Sequence, residues 1–362
     1  DEYSRGRVIS VEKEELSTEL TDPLFTQNVT IQLISGPEKG KEVKVDYQIR
    51  GTDQEKKKLR PGTQMVIDKN ILPDGTVNYY ATEPYRLPGL GWLAALFFII
   101  TLATAGKRGF FSFLGLLTTL LIIALYIVPQ ISQGTNPFIT SLIGATLITG
   151  ISLALGHGFS KQTGIALLSI MITISLALVL SILAVNGTHL FGLGSEEAFY
   201  LQTGMEKAIN LRGLLLGGII IGVLGVLDDV ATAQVAAVAE LREANPTLSA
   251  KELYVRASRI GREHIVAVVN TLVLAYVGTA FPLVLLFKTF EMPWWVTLNT
   301  EMISEEVVRT LIGSVSLVAA VPIATTLAVW FFHRSFLWVF QCTFSCACQR
   351  LVIREAERSE EH

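Results

Sequence analysis

Residues 213–239, GLLLGGIIIGVLGVLDDVATAQVAAVA, constrain this chain more than any other stretch. The run is apolar for longer than one bilayer crossing needs, since roughly 20 helical residues span the hydrocarbon core. Yet it carries two adjacent carboxylates, Asp228 and Asp229, and an amide, Gln234. An unpaired Asp at the centre of such a helix costs about 2.5–3.5 kcal/mol on insertion scales. A chain that keeps two of them side by side pairs them, wets them or uses them. They sit toward one end of the run, where the cost falls below the mid-bilayer figure.

The rest of the chain fits a membrane setting. Only 17% of residues are charged, against about 25% in soluble domains. Those charges crowd residues 1–86, residues 240–264 and the tail. About seven apolar spans are expected, near 89–105, 110–128, 137–155, 163–184, 211–239, 264–287 and 309–332. The fifth is long enough to tilt, or to emerge and continue as a cytoplasmic helix. The fold class is therefore mainly α: a polytopic transmembrane helical bundle over 87–333, preceded by a small all-β domain over 1–86. Residues 334–362 read as a cytoplasmic amphipathic tail. A net charge of −3 argues against nucleic acid as a partner.

The first 86 residues alternate apolar and polar in RVISVE, VTIQLIS, KEVKVDYQI, TQMVIDK and VNYYATE. This period of two is the signal of half-buried strands. Turn residues at Gly36-Pro37-Glu38-Lys39-Gly40 and Pro73-Asp74-Gly75 separate them. About five short strands without a helix predict a small barrel of the OB or SH3-like kind. Lys56-Lys57-Lys58 reads as a solvated loop or as a lipid- or polymer-binding patch.

Short-loop charges set an orientation. Lys107 and Arg108, His157 and Lys161, and the Arg242 to Arg262 set belong in the cytoplasm. Glu196, Glu197, Glu206, Glu291, Glu301, Glu305 and Glu306 fall in loops on the other side. The barrel is then extracytoplasmic and the C-terminus cytoplasmic, which calls for an export signal upstream of Asp1.

The candidate chemistry lies on the fifth and sixth spans. On a helical wheel Gly218, Gly222, Gly225 and Asp229 share one face, where small residues let a neighbouring helix approach. Asp229 is expected to face the bundle and Asp228 to turn to water or a second partner. Asn270 and Thr271, with Glu263 and His264 one or two turns away, fall at comparable depth on the sixth span. An Asp–Asn–Thr cluster suits a small hard cation or a proton relay. The structural alternative pairs both acids with Arg259 or Arg262 and simply fixes the hairpin. In the tail, Cys342, Cys346 and Cys348 match no structural zinc spacing, so they read as apolar packing, with metal binding the weaker reading. No motif of a soluble enzyme is present, and no cofactor is expected.

Residues 222–286 also carry a resemblance. Gly222-x-x-Gly225 followed by Leu227-Asp228-Asp229-Val230, then Glu240-Leu241 and Asn245-Pro246, begin it. Ile260-Gly261-Arg262-Glu263-His264, Asn270-Thr271-Leu272 and Leu274-Ala275-Tyr276-Val277-Gly278 continue it. Together with the Gly106-Lys107-Arg108-Gly109 turn, these resemble the YibE/YibF family of bacterial membrane proteins. That family commonly has Asp where this chain has Glu263. The resemblance implies a permease-like protein of the bacterial inner membrane. The expectation is a permease or channel for a small ion or solute, proton- or cation-coupled through the polar site. The alternative is a non-transporting scaffold or sensor whose β domain binds an envelope partner. A homo-oligomer fits either.

Overall fold

The computed structural model describes residues 2–17, 24–49, 57–72, 75–204, 209–289 and 292–333. It divides into two compact units, Asp1–Ala103 and Thr104–His362. The cysteine-containing tail, Lys56 and the Pro73-Asp74 turn lie outside the described residues.

The first unit holds five strands: β1 (Glu2–Ser17), β2 (Leu24–Leu33), β3 (Glu42–Ile49), β4 (Gln64–Ile71) and β5 (Val77–Pro84). They form one antiparallel sheet in the order β3-β2-β1-β4-β5. The alternation does the folding. Val43, Val45 and Ile49 of β3 are buried while Glu42, Lys44, Asp46 and Gln48 are exposed. Register shifts between Val8 and Ser10 and between Val11 and Lys13 bend the long β1, as bulges do. One strand thereby serves two halves of the sheet, and β3 and β5 come within 8 Å of each other. The result is the expected small barrel-like domain, with Val8, Val29, Ile31, Val45, Met65 and Ile67 at its centre.

An ionic cluster ties the 34–41 turn to the sheet. Tyr79 donates its hydroxyl proton to Glu38, and Lys69 Nζ lies 3.2 Å from both Glu38 and Glu2. The Tyr79 hydrogen bond, with Lys69 and Lys41 behind it, holds the Glu38 carboxyl below the usual carboxylate range. A depressed folded-state value means that Glu38 stabilises the domain fully above the ordinary carboxylate range. That contribution is lost as pH falls through the lowered value. In the full chain, acid titration of the tyrosine near-ultraviolet signal should show this limb. Glu38→Gln should remove it, and an unchanged acid limb in the variant would contradict the assignment.

The helices are α1 (Leu87–Ile122), α2 (Val128–Ser132), α3 (Pro137–His157), α4 (Lys161–Gly187), α5 (Glu196–Gly204), α6 (Leu211–Ala244), α7 (Ala250–Thr289), α8 (Trp294–Asn299) and α9 (Glu301–His333). Among the described residues, six helical segments are long and apolar enough to cross a membrane. The first, Leu87–Ser132, contains both of the first two expected spans. No loop separates them: Gly106, at φ 55° and ψ −134°, makes a break where two helices meet. Only glycine adopts such a conformation cheaply. A π-helical turn, Ile123–Ile127, then precedes Pro129, whose missing N–H removes a helical bond.

Three expected boundaries are refined. Within 240–263 the connection narrows to residues 245–249, because α6 runs on to Ala244, the helical continuation offered for the fifth span, and α7 begins at Ala250. Ser249 and Glu252 cap α7 reciprocally, with Ser249 N–H donating to Glu252 Oε2 at 3.0 Å and Glu252 N–H to Ser249 Oγ at 3.3 Å. This capping box starts the helix and leaves its charges on a solvent-facing side. The last span begins at Glu301 rather than 309, since carboxylates are favoured in a first helical turn. In the outer connection that carries Glu196 and Glu197, Glu196–Gly204 is a short helix.

The bundle centres on α6, which packs against α3, α4, α7 and α9. Its buried side is Leu215, Ile219, Ile220, Val223, Leu224 and Leu227.

Candidate functional site

Asn210 starts α6 by accepting the Gly213 N–H through Oδ1 at 2.9 Å. From there the helix presents an apolar side to the bundle until Asp228 interrupts it. Asp228 is half-buried and Asp229 is exposed, the reverse of the expected orientation. Asp228 points toward α3, with the Ser152 hydroxyl in hydrogen-bonding reach and the His157 ring in electrostatic reach. Its Oδ1 is enclosed yet has no hydrogen-bond partner. Thr232 does not supply one: its hydroxyl donates to the main-chain carbonyls of Asp228 and Asp229, at 2.7 and 3.1 Å. Gly115 lets α1 close over this point, since a Cβ there would lie 3.4 Å from Ser152 Oγ.

The glycine face is only partly a packing face. A Cβ at Gly218 would meet only Arg309 Nη1, at 3.8 Å, and one at Gly222 only the Tyr276 hydroxyl, at 2.9 Å. Gly225 has nothing within 4 Å. The face is floored by glycine, touched at one end by the tips of two polar side chains, and open toward Asp229.

Gln234 is buried and bridges three helices. Its Nε2 donates to the Ala257 carbonyl at 3.0 Å and to Thr325 Oγ1 at 2.7 Å. This contact and that of Gly222 with Tyr276 set the α6–α7 register, which brings the two acids level with the His264–Asn270 stretch, the depth expected. The faces differ, however. Glu263, Asn270 and Thr271 are exposed, and the Thr271 hydroxyl donates within its own helix to Ala267 at 3.0 Å. His264 is half-buried with Nε2 unpartnered. Among the described residues no ion pair joins Asp228 or Asp229 to Arg259 or Arg262, and no three His, Cys, Asp or Glu side chains gather.

Chemically, an enclosed carboxylate with one free oxygen, beside a hydroxyl and next to a second acid, is able to take up a proton or a small cation. So few protein ligands favour exchange over tight retention.

A second polar locus lies at the opposite end of α9. Glu301 Oε1 accepts the main-chain N–H groups of Phe191, Gly192 and Leu193 at 2.6, 2.9 and 3.2 Å. Glu305 Oε1 accepts that of Gly194 at 3.0 Å and is buried. Two carboxylates thus hold the 190–195 segment across the bundle end. Arg309 follows one turn on, 3.6 Å from Glu306. The sequence signal was present: Glu301, Glu305 and Arg309 recur at i, i+4 and i+8. Glu305→Ala should leave the buried Gly194 N–H unmatched and cost about 1–3 kcal/mol. Amide exchange over 191–195 should rise sharply; unchanged protection would contradict the latch.

A family model described as YibE/F-like protein matches residues 93–334. No curated protein and no solved structure matches the chain.

Proposed function

Since this chain belongs to the YibE/F-like protein family and its apolar helices make it an integral membrane protein, we propose that it is a permease or channel for a small ion or solute, coupled to a proton or small cation at Asp228. One observation carries the reading: Asp228 Oδ1 is enclosed among helices without a protein partner. A purely structural buried acid would be matched by a cation, and among the described residues no ion pair reaches Asp228. Past Gly222 the glycine face is open, for about 6 Å from Gly225 to Asp229 at 1.5 Å per residue, and leads to the acid beside Asp228.

The membrane is the bacterial cytoplasmic membrane, with the β domain outside and the C-terminus inside. Lys161 supports this orientation by donating to the Phe331 carbonyl at 2.8 Å, which groups the basic connections at the end of α9 away from Glu301. Cation-rich ends stay in the cytoplasm. Leu87–Gly106 and the helix after it are then separate crossings.

A second reading, a non-transporting scaffold, draws on α7, whose most apolar window is only 6% buried. Such a face suits lipid as well as a partner or second copy. Solid-supported membrane recordings on proteoliposomes separate the two. Concentration jumps of protons, sodium, potassium and magnesium are applied in turn. Transport predicts a current for at least one; silence for all four from folded protein favours the scaffold.

A further inference from the structure

The β domain stays open between β3 and β5, and the opening is cationic. The two strands approach each other but, among the described residues, pair with β2 and β4 rather than with each other. A cleft of about 680 Å³ runs along this seam. Lys57, Lys58, Arg60 and Arg86 line it, against a single described carboxylate, Glu83.

These cations sit on a fixed support. The buried Gln27 side chain clamps both polar groups of the Leu59 main chain. Its Oε1 accepts the Leu59 N–H at 2.7 Å and its Nε2 donates to the Leu59 carbonyl at 3.5 Å. The Leu59 side chain is itself buried. Three residues on, Gly62 N–H donates to the Val8 carbonyl at 2.8 Å and Val8 N–H to the Thr63 carbonyl at 2.9 Å. The segment carrying Lys57, Lys58 and Arg60 is therefore pinned to the core on both sides of Arg60. Lys58 Nζ lies 4.6 Å from the centre of the Phe25 ring. Across the seam, Arg86 pairs with Glu83 at 2.7 Å, both side chains more than 60% exposed. An exposed pair of this kind exchanges readily for a better anion.

The geometry selects among occupants. A peptide strand added between two sheet edges needs them about 9.6 Å apart, twice the usual strand spacing. β3 and β5 are already within 8 Å in places, too close for a strand. The cleft instead takes a compact anion, and arginines on two walls favour phosphate, which they bind in a bidentate manner. The source follows from the chain. Arg86 is the last residue before α1, whose first turns expose Leu87, Leu90, Trp92 and Leu93. An exposed tryptophan at the start of an apolar helix marks the headgroup layer.

We propose that the cleft between β3 and β5 binds the phosphate of an anionic phospholipid headgroup through Arg60 and Arg86. This site is separate from Asp228 and does not depend on transport.

The test uses the full chain in nanodiscs. Amide exchange is followed over residues 57–63 and 81–86, in phosphatidylcholine alone and with phosphatidylglycerol added. Phosphatidylglycerol should protect these amides in the wild type. The double variant Arg60→Gln/Arg86→Gln, altered only at exposed side chains, should weaken that effect about tenfold in lipid titration. Its melting temperature should stay unchanged. Equal protection by the two lipids would overturn the proposal, as would a variant that responds like the wild type. Protection by millimolar inorganic phosphate in phosphatidylcholine discs, with none from phosphatidylglycerol, would assign the cleft to a soluble anion and overturn the lipid source. Protection by poly-glutamate alone would do the same.

Discussion

Asp228→Asn abolishes ion-dependent current in proteoliposomes, while Asp229→Asn retains most of it. The split follows from burial. Asp228 is enclosed beside Ser152 with one oxygen unmatched, whereas Asp229 faces outward. Asparagine keeps the size of the side chain and the reach to Ser152 but cannot carry a negative charge or exchange a proton. A loss of about tenfold corresponds to about 1.4 kcal/mol of barrier, and removal of the coupling charge should exceed that. Asn at 229 removes a charge that water or headgroups already screen. The fold should tolerate both changes, since neither acid has an ion-pair partner among the described residues. Equal loss in the two variants would spread the site over both acids. Full current in Asp228→Asn would remove the site altogether.

Gly261→Val should cause the largest loss of stability. A Cβ at Gly261 would run into the Val321 side chain and lie 2.8 Å from Gln234 Oε1. The site is the point where α6, α7 and α9 meet, and Gln234 bridges all three there. Overpacking a helix contact costs about 1–3 kcal/mol. Displacing Gln234 also strands buried polar groups, at about 1–3 kcal/mol. The melting temperature of the purified protein in detergent should fall steeply, or the variant should fail to accumulate. Gly261→Ala recovers up to about 1 kcal/mol through helix propensity and should be milder. Gly278→Ala meets nothing within 4 Å and should not destabilise, gaining up to about 1 kcal/mol. A Gly261→Val protein that melts like the wild type would mean that the three helices do not meet as described.

The parts of this structure legible in the sequence are those written as periodicity. Val43, Val45 and Ile49 announce a strand, and 213–239 announces a crossing. Asp228 and Gln234 stand out because polar groups are rare in such a run. What the sequence hides is who touches whom. The glycine stripe argued for Asp229 facing protein, because small residues usually mark close backbone contact. Here the stripe is covered instead by the tips of Arg309 and Tyr276, and past Gly222 it is open. The partners of Gln234 lie 23 and 91 residues away, a separation no local pattern encodes. Residues 240–263 hid their turn for a different reason: their charges suggested a long connection, while the Ser249 and Glu252 caps confine it to 245–249.

Water at Asp228 is the point on which the account turns. The most direct measurement replaces Asp228 by Cys in a background where Cys342, Cys346 and Cys348 are Ser. Labelling with a small charged thiol reagent is then followed in sealed proteoliposomes. A wet site predicts reaction at residue 228 from at least one side. A Cys at 228 that stays unreactive from both sides in folded protein, while Cys at 229 reacts, would show a dry clamp and contradict transport through this locus.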